Sequence, residues 1–269
     1  MRLNTPCCLL FTVIATMSGT LAAAEKRIDT GIGVDYLYGS LDGYLQTPAG
    51  GQPGTTSSKR PTFDELGFDT AAIVDVHASA AWGRHQIRGG AQFIRQSGSA
   101  TLSEDLVSQN QSFAAGAAVK SDIKTDWYRL NYRYRLNNPG FLADTITLSP
   151  AAGIVWFDFH YQLKGDGNTV DREYSKIGYR LGGELEWHPA DRWSMTADAY
   201  IPLPVSNTPE ILTLAARGQY EFWRGQGTSA KVLAGLAYEQ IDYEDNQGVP
   251  NHVRLELGPL LTLGIHLDF

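Results

Sequence analysis

Beyond Cys8 the chain contains no cysteine. That excludes a disulfide framework, a CxxC metal site and a cysteine nucleophile from all but the first few residues. Past the amino-terminal segment there is also no run of about 18 uncharged apolar residues, which excludes a conventional transmembrane helix. A strong charge of one sign is missing too: 22 Lys and Arg stand against 29 Asp and Glu, a formal net charge of −7. Such a balance gives no electrostatic footprint for nucleic acid, and no nucleic-acid partner is expected. No motif for a cofactor or metal stands out, and none is expected.

What is present starts with an address. Arg2 supplies a short positive region, Cys7 to Leu21 an apolar core, and Ala22-Ala23-Ala24 a small-residue cleavage site. The pattern predicts a removed export signal over 1–24 and a single domain over 25–269. Both cysteines precede the end of the apolar core, so a lipid-anchored cysteine is not expected. Loss of Arg2 leaves 21 basic against 29 acidic residues, a net of −8.

The second positive feature is alternation. Leu261, Leu263, Ile265, Leu267 and Phe269 share one parity, and Thr262, Gly264, His266 and Asp268 the other. Side chains of a strand alternate between its faces, so one face suits oil and the other water. Read upstream, Val253, Leu255, Leu257 and Pro259 continue the oily face, with Arg254 and Glu256 opposite. A strand of about 17 residues far exceeds the usual five or six of a soluble sheet.

Ten such segments are readable. The first sets Ile28, Thr30, Ile32, Val34, Tyr36 and Tyr38 against Asp29, Gly31, Gly33 and Asp35. Others run over Thr70–Trp82, from Gln86, up to Leu136, about Asp144 to Tyr161, Lys176–His188, Trp193–Ile201, Leu212–Phe222 and Lys231–Glu239. The Asp144–Tyr161 segment is apolar on both faces around Gly153–Phe159, so its register stays open and a bulge is expected there. In the sixth, eighth and tenth segments the apolar face carries no charge while the other carries several. Because Arg or Lys at a bilayer midplane costs about 2–4 kcal/mol, that segregation fits strands facing lipid.

Connections alternate in length. Those near Gly83, Pro139 (in the turn Asn137-Asn138-Pro139-Gly140), Pro189 and Gly225 are short; those over 40–69, 96–115, 163–174, 202–210 and 242–251 are longer. Trp82, Trp187, Trp193 and Trp223 flank the short turns, as an aromatic girdle would. Taken together, these features resemble Gram-negative outer-membrane β-barrel proteins, without matching one subfamily. The resemblance implies an all-β, antiparallel up-and-down transmembrane barrel in the cell outer membrane. Ten strands are expected, with eight or twelve as the alternative counts. It further implies contact with outer-membrane lipid and lipopolysaccharide, and a monomeric state. Leu263, Ile265, Leu267 and Phe269 would be the signal read by the barrel-assembly machinery.

The water-facing parity predicts a polar network filling a narrow lumen: Asp75, His77, Arg88, Arg129, Arg133, Arg180, Glu184, Asp198, Arg217, Arg254 and Glu256. Asp75, His77 and Ser79 look like acid, base and hydroxyl, but residues two apart in a strand stand about 6.6 Å apart. Catalytic relay needs contacts of about 2.6–3.2 Å, so a satisfied buried network is expected, with Asp75 and His77 pairing to residues such as Arg88. A charge-lined pore for small solutes is the functional alternative. In the long loop 40–69, Thr62-Phe63-Asp64-Glu65 fits a capping box, and Phe63, Leu66 and Phe68 could fold over the mouth. Asp242, Glu244 and Asn246 match a calcium loop poorly, since glycine arrives one position late and Val253 replaces the closing Glu. The expected role is structural, adhesive or narrow solute passage. An outer-membrane enzyme, lipid A-modifying or proteolytic, is the rival class, with His160 and His252 as its candidate bases.

Overall fold

The computed structural model describes residues 28–46, 60–136, 145–246 and 250–269. The segment expected to be an export signal, most of the Gly50–Pro61 stretch and the Asn137–Gly140 turn lie outside the described residues. Twelve strands follow in chain order: β1 (Asp29–Gln46), β2 (Thr70–Trp82), β3 (His85–Thr101), β4 (Leu106–Ser108), β5 (Gln111–Phe113), β6 (Ala118–Tyr134), β7 (Ile146–Gly165), β8 (Asn168–Ala190), β9 (Trp193–Pro202), β10 (Glu210–Arg224), β11 (Ser229–Glu244) and β12 (His252–Asp268). Ten of them close into an antiparallel barrel; β4 and β5 form a separate hairpin between β3 and β6. Closure is made by the first and last strands, with Gly31 opposite Asp268 and Tyr38 opposite Leu261.

A band of exposed apolar side chains encircles the outside. It includes Ile32, Val34 and Tyr38 on β1, Leu130 and Tyr132 on β6, Ile177 to Trp187 on β8, and Leu261, Leu263 and Ile265 on β12. Among the described residues, no Asp, Glu, Lys or Arg points outward within this band. Ile28–Tyr38 and Ile177–Trp187 each cover eleven positions, matching the 9–11 residues of a tilted transmembrane strand. Trp187, Trp193 and Trp223 are 40–50% exposed and, with Trp82, stand at the end of the barrel that holds the short turns. Charge returns at the opposite edge, where Arg95 pairs with Asp126 on the outer wall.

Several strands exceed the sequence expectation. β3 and β6 stay paired up to Thr101 and Ala118, and β7 and β8 up to Gly165 and Asn168, where a tight turn replaces the long loop expected over 163–174. No bulge interrupts β7: its register against both β6 and β8 is continuous. A one-residue bulge does lie in β12, which runs from Leu260 to Leu257 while β1 advances only from Gly39 to Leu41 and β11 only from Ala237 to Glu239. One extra residue on one strand inverts the parity of everything beyond it. Leu261, Leu263 and Ile265 therefore face out, whereas Val253, Leu255 and Leu257 face in and are fully buried. The oily face read as continuous over 253–269 is two faces joined at Gly258-Pro259.

Candidate functional site

The lumen is built in two layers, and the sequence explains each. From the upper edge of the outer band upward, inward positions are apolar: Leu37 and Leu41 on β1, Ile73 on β2, Ile94 on β3, Ile123 on β6, Val155, Phe157 and Phe159 on β7, Ile211 on β10, Ile241 on β11 and Leu255 on β12. All are 3% exposed or less and belong to one contiguous cluster. Side chains from eight strands thus meet across the barrel and pack it at this level.

The first long loop completes the packing from above. The backbone N–H of Thr62 donates to Glu65 at 3.0 Å and that of Glu65 donates to the Thr62 hydroxyl at 3.2 Å. This reciprocal capping box opens a 3-10 turn over Asp64–Leu66 that ends on Gly67 in the left-handed region. The turn points Phe63, Leu66 and Phe68 down into the cluster, where they are 0–3% exposed. Leu106 and Phe113, from the β4–β5 hairpin, are buried in the same cluster.

Below lies a polar layer. Arg129 donates to the Asp75 carboxylate at 2.5 and 2.6 Å, and Gln92 bridges Asp75 (2.9 Å) and Glu239 (2.8 Å). The Trp127 indole N–H donates to Gln92. Arg133 pairs with Glu184 at 2.6 Å and donates to the Tyr200 hydroxyl at 3.0 Å. Arg217 pairs with Asp198. Arg180 donates to Asn131 at 3.0 Å and lies 4.2 Å from the Tyr200 ring centroid. Buried charges need partners of this kind, because each would otherwise bear an uncompensated desolvation cost.

Asp75, His77, Arg129, Arg133, Arg180, Glu184, Asp198 and Arg217 therefore sit together inside the barrel, with Arg88 on the same inward parity of β3. The partner of Asp75 is Arg129. Arg254 and Glu256 do not belong to this network: the bulge turns them to the outer wall, where they pair at 2.7 Å and Arg254 reaches Asp242 at 3.8 Å. Gln92, Trp127, Glu239, Asp35 and His266 are lumen residues that the charge pattern did not single out. Gln92 and Trp127 carry no charge, yet their inward parity on β3 and β6 marks them.

His160 and His252 lie apart, on non-adjacent strands. His160 meets Asp171 at 2.8 Å on the β7–β8 extension, and that hydrogen bond holds the Asp171 carboxyl below its ordinary range. His252 meets Asp242 at 2.8 Å and the Tyr44 hydroxyl at 3.1 Å. A cleft of about 350 Å³ opens at the same end, where Arg172, Tyr174, Lys176 and Tyr243 face the 205–209 connection through Asn207. Burial there pushes the Tyr174 phenol up to about 12, and its hydroxyl donates to Asn251 at 2.6 Å.

No protein-family model matches the chain, and no curated protein sequence matches it. Among solved structures it is similar to the attachment invasion locus protein Ail of Yersinia pestis (11% identity, TM-score 0.39, covering 90% of this chain and 98% of that one). It is also similar to the outer membrane protease OmpT from Escherichia coli (9%, TM-score 0.43, 93% and 98%). A third is a major outer membrane protein from Thermus thermophilus (13%, TM-score 0.29, 89% and 99%). Likenesses this distant carry nothing about role.

Proposed function

We propose that this chain is an integral outer-membrane β-barrel with a structural or adhesive role and a lumen closed to solutes. The observation that carries the reading is the apolar cluster spanning the lumen, sealed by Phe63, Leu66 and Phe68. Ions entering from either side would meet desolvation at that level with no polar lining to offset it. The uncharged outer band supports insertion into a bilayer, and the polar wall above it would meet lipopolysaccharide. Strands β7 and β8 continue nine residues beyond Trp156 and Ile177, roughly 30 Å of strand. That extension, with the charged and aromatic cleft at the rim, suits contact with a surface partner. Leu263, Ile265, Leu267 and Phe269, 36–56% exposed at the end of the closing strand, are the residues an assembly machinery would read. The protein would act as a monomer.

Single-channel recording of the refolded protein in planar bilayers tests this. Silence is expected across the voltage range that the bilayer tolerates. Regular openings of uniform conductance would overturn the closed-lumen reading and restore solute passage.

A further inference from the structure

The seam that closes the barrel joins β2, β1 and β12, and three metal-competent side chains meet on its inner face: His77, Asp35 and His266. Their ligand atoms all lie within 4.8 Å of one another. His266 Nε2 stands 3.0 Å from Asp35 Oδ1, and His77 Nδ1 stands 3.9 Å from Asp35 Oδ2. The two imidazoles are edge to face, with centroids 4.6 Å apart. A tetrahedral ion bound at about 2.0–2.2 Å holds its ligands roughly 3.3–3.6 Å apart, a range that these two separations bracket.

Two further observations mark the place as built for a ligand. His77 is 7% exposed, yet its Nδ1 is buried with no hydrogen-bond partner. Buried imidazole nitrogens are normally satisfied; this one stands 3.5 Å from Asp75 Oδ1 and 3.9 Å from Asp35 Oδ2, beside two carboxylates yet hydrogen-bonded to neither, and calls for an explanation. The backbone also clears the space. Gly33 is the cross-strand neighbour of both histidines, and a Cβ there would fall 2.4 Å from His77 Nε2 and 2.5 Å from His266 Cδ2. At Gly264 a Cβ would fall 2.0 Å from Asp35 Oδ1. Any other residue at either position would push the three side chains apart.

We infer that Asp35, His77 and His266 bind a divalent first-row transition ion, zinc foremost, and that the ion clamps the closing seam of the barrel. Two imidazoles, borderline donors, beside one carboxylate suit zinc over calcium or magnesium, and three protein ligands leave one position for water. No local motif announces the site, because the three residues are separated by most of the chain and only the β12–β1–β2 pairing unites them. Asp75, whose Oδ1 lies 3.5 Å from the same His77 Nδ1, stands just outside the three-residue set and adds negative charge beside the ion.

The test uses tag-free full-length mature protein, refolded in detergent without metal and checked for folding by heat-modifiable migration. Titration with Co²⁺ should give one equivalent of a visible ligand-field spectrum, and Zn²⁺ should displace it. Folded His77→Ala, His266→Ala and Gly33→Ala variants should each lose at least about tenfold in affinity, while His160→Ala/His252→Ala should lose none. Zn²⁺ should also raise the temperature of the heat-modifiable transition in the parent and leave that of His266→Ala unmoved. Absence of a stoichiometric spectrum in the parent would overturn the inference. So would a spectrum that survives in His266→Ala or vanishes in the His160/His252 variant. Should His77→Ala not refold, Gly33→Ala and His266→Ala decide the matter, since the first retains every ligand. The channel recordings are independent of this result.

Discussion

Replacing Arg129 by Met measures how dry the lumen is. Arg129 contacts Asp75 at 2.5 Å, with side-chain exposures of 10% and 6%. Removing the guanidinium while keeping an unbranched apolar stem leaves a carboxylate buried with only part of its compensation, since Gln92 still donates at 2.9 Å. Breaking a buried pair from one side costs about 3–5 kcal/mol, and the surviving Gln92 contact places the expected loss near the lower end. With urea slopes of about 1–3 kcal/mol/M, the unfolding midpoint should fall by roughly 1–3 M. Tryptophan fluorescence during urea unfolding in detergent micelles or lipid vesicles reads this directly. Asp75→Leu combined with Arg129→Met removes both charges and should return to within about 1 kcal/mol of the parent. A loss below about 1 kcal/mol for Arg129→Met alone would mean that water reaches Asp75. The reasoning that treats this depth of the lumen as closed would then fail.

Two shorter predictions concern the wall. Deleting Pro259 removes the extra residue of β12, so Val253, Leu255 and Leu257 would turn outward and Arg254 and Glu256 inward; the deleted chain should lose its heat-modifiable band, and normal migration would contradict the assigned phase shift. At the β7–β8 tip, His160→Ala should let the Asp171 carboxyl rise toward its ordinary value, as followed by NMR titration. Because the folded value is the lowered one, the contact helps the folded state above the unfolded value of about 3.9 and loses that help as pH falls through the lower folded value. An Asp171 titration that does not move would remove His160 as the cause.

Much of the wall was legible in the sequence because lipid outside and water-like groups inside impose a strict period of two. The ten barrel strands, the tryptophans at one end and nine of the charged lumen residues follow from that parity alone. Legibility failed where both faces are apolar. Around Gly153–Phe159, Ile154 and Trp156 face outward while Val155, Phe157 and Phe159 fill the interior, so hydrophobicity cannot report the face. It failed again at Gly258-Pro259, since a phase shift between two apolar runs leaves no break in the alternation. The β4–β5 hairpin was too short to carry a period, although the Thr62–Glu65 capping box was readable from four residues.

The change of phase in β12 divides the chain between two solvents. Below it the barrel is inside out, apolar without and charged within. Above it the same strands enclose a core as a water-soluble domain does, with Tyr243, Phe159 and Leu255 hidden and ion pairs outside. Only the upper half gains stability from removing apolar surface from water, so only that half should contribute a large positive heat capacity when it unfolds in a bilayer. Melting of this protein in membranes should therefore resemble the loss of a small soluble domain perched on a belt that lipid keeps intact.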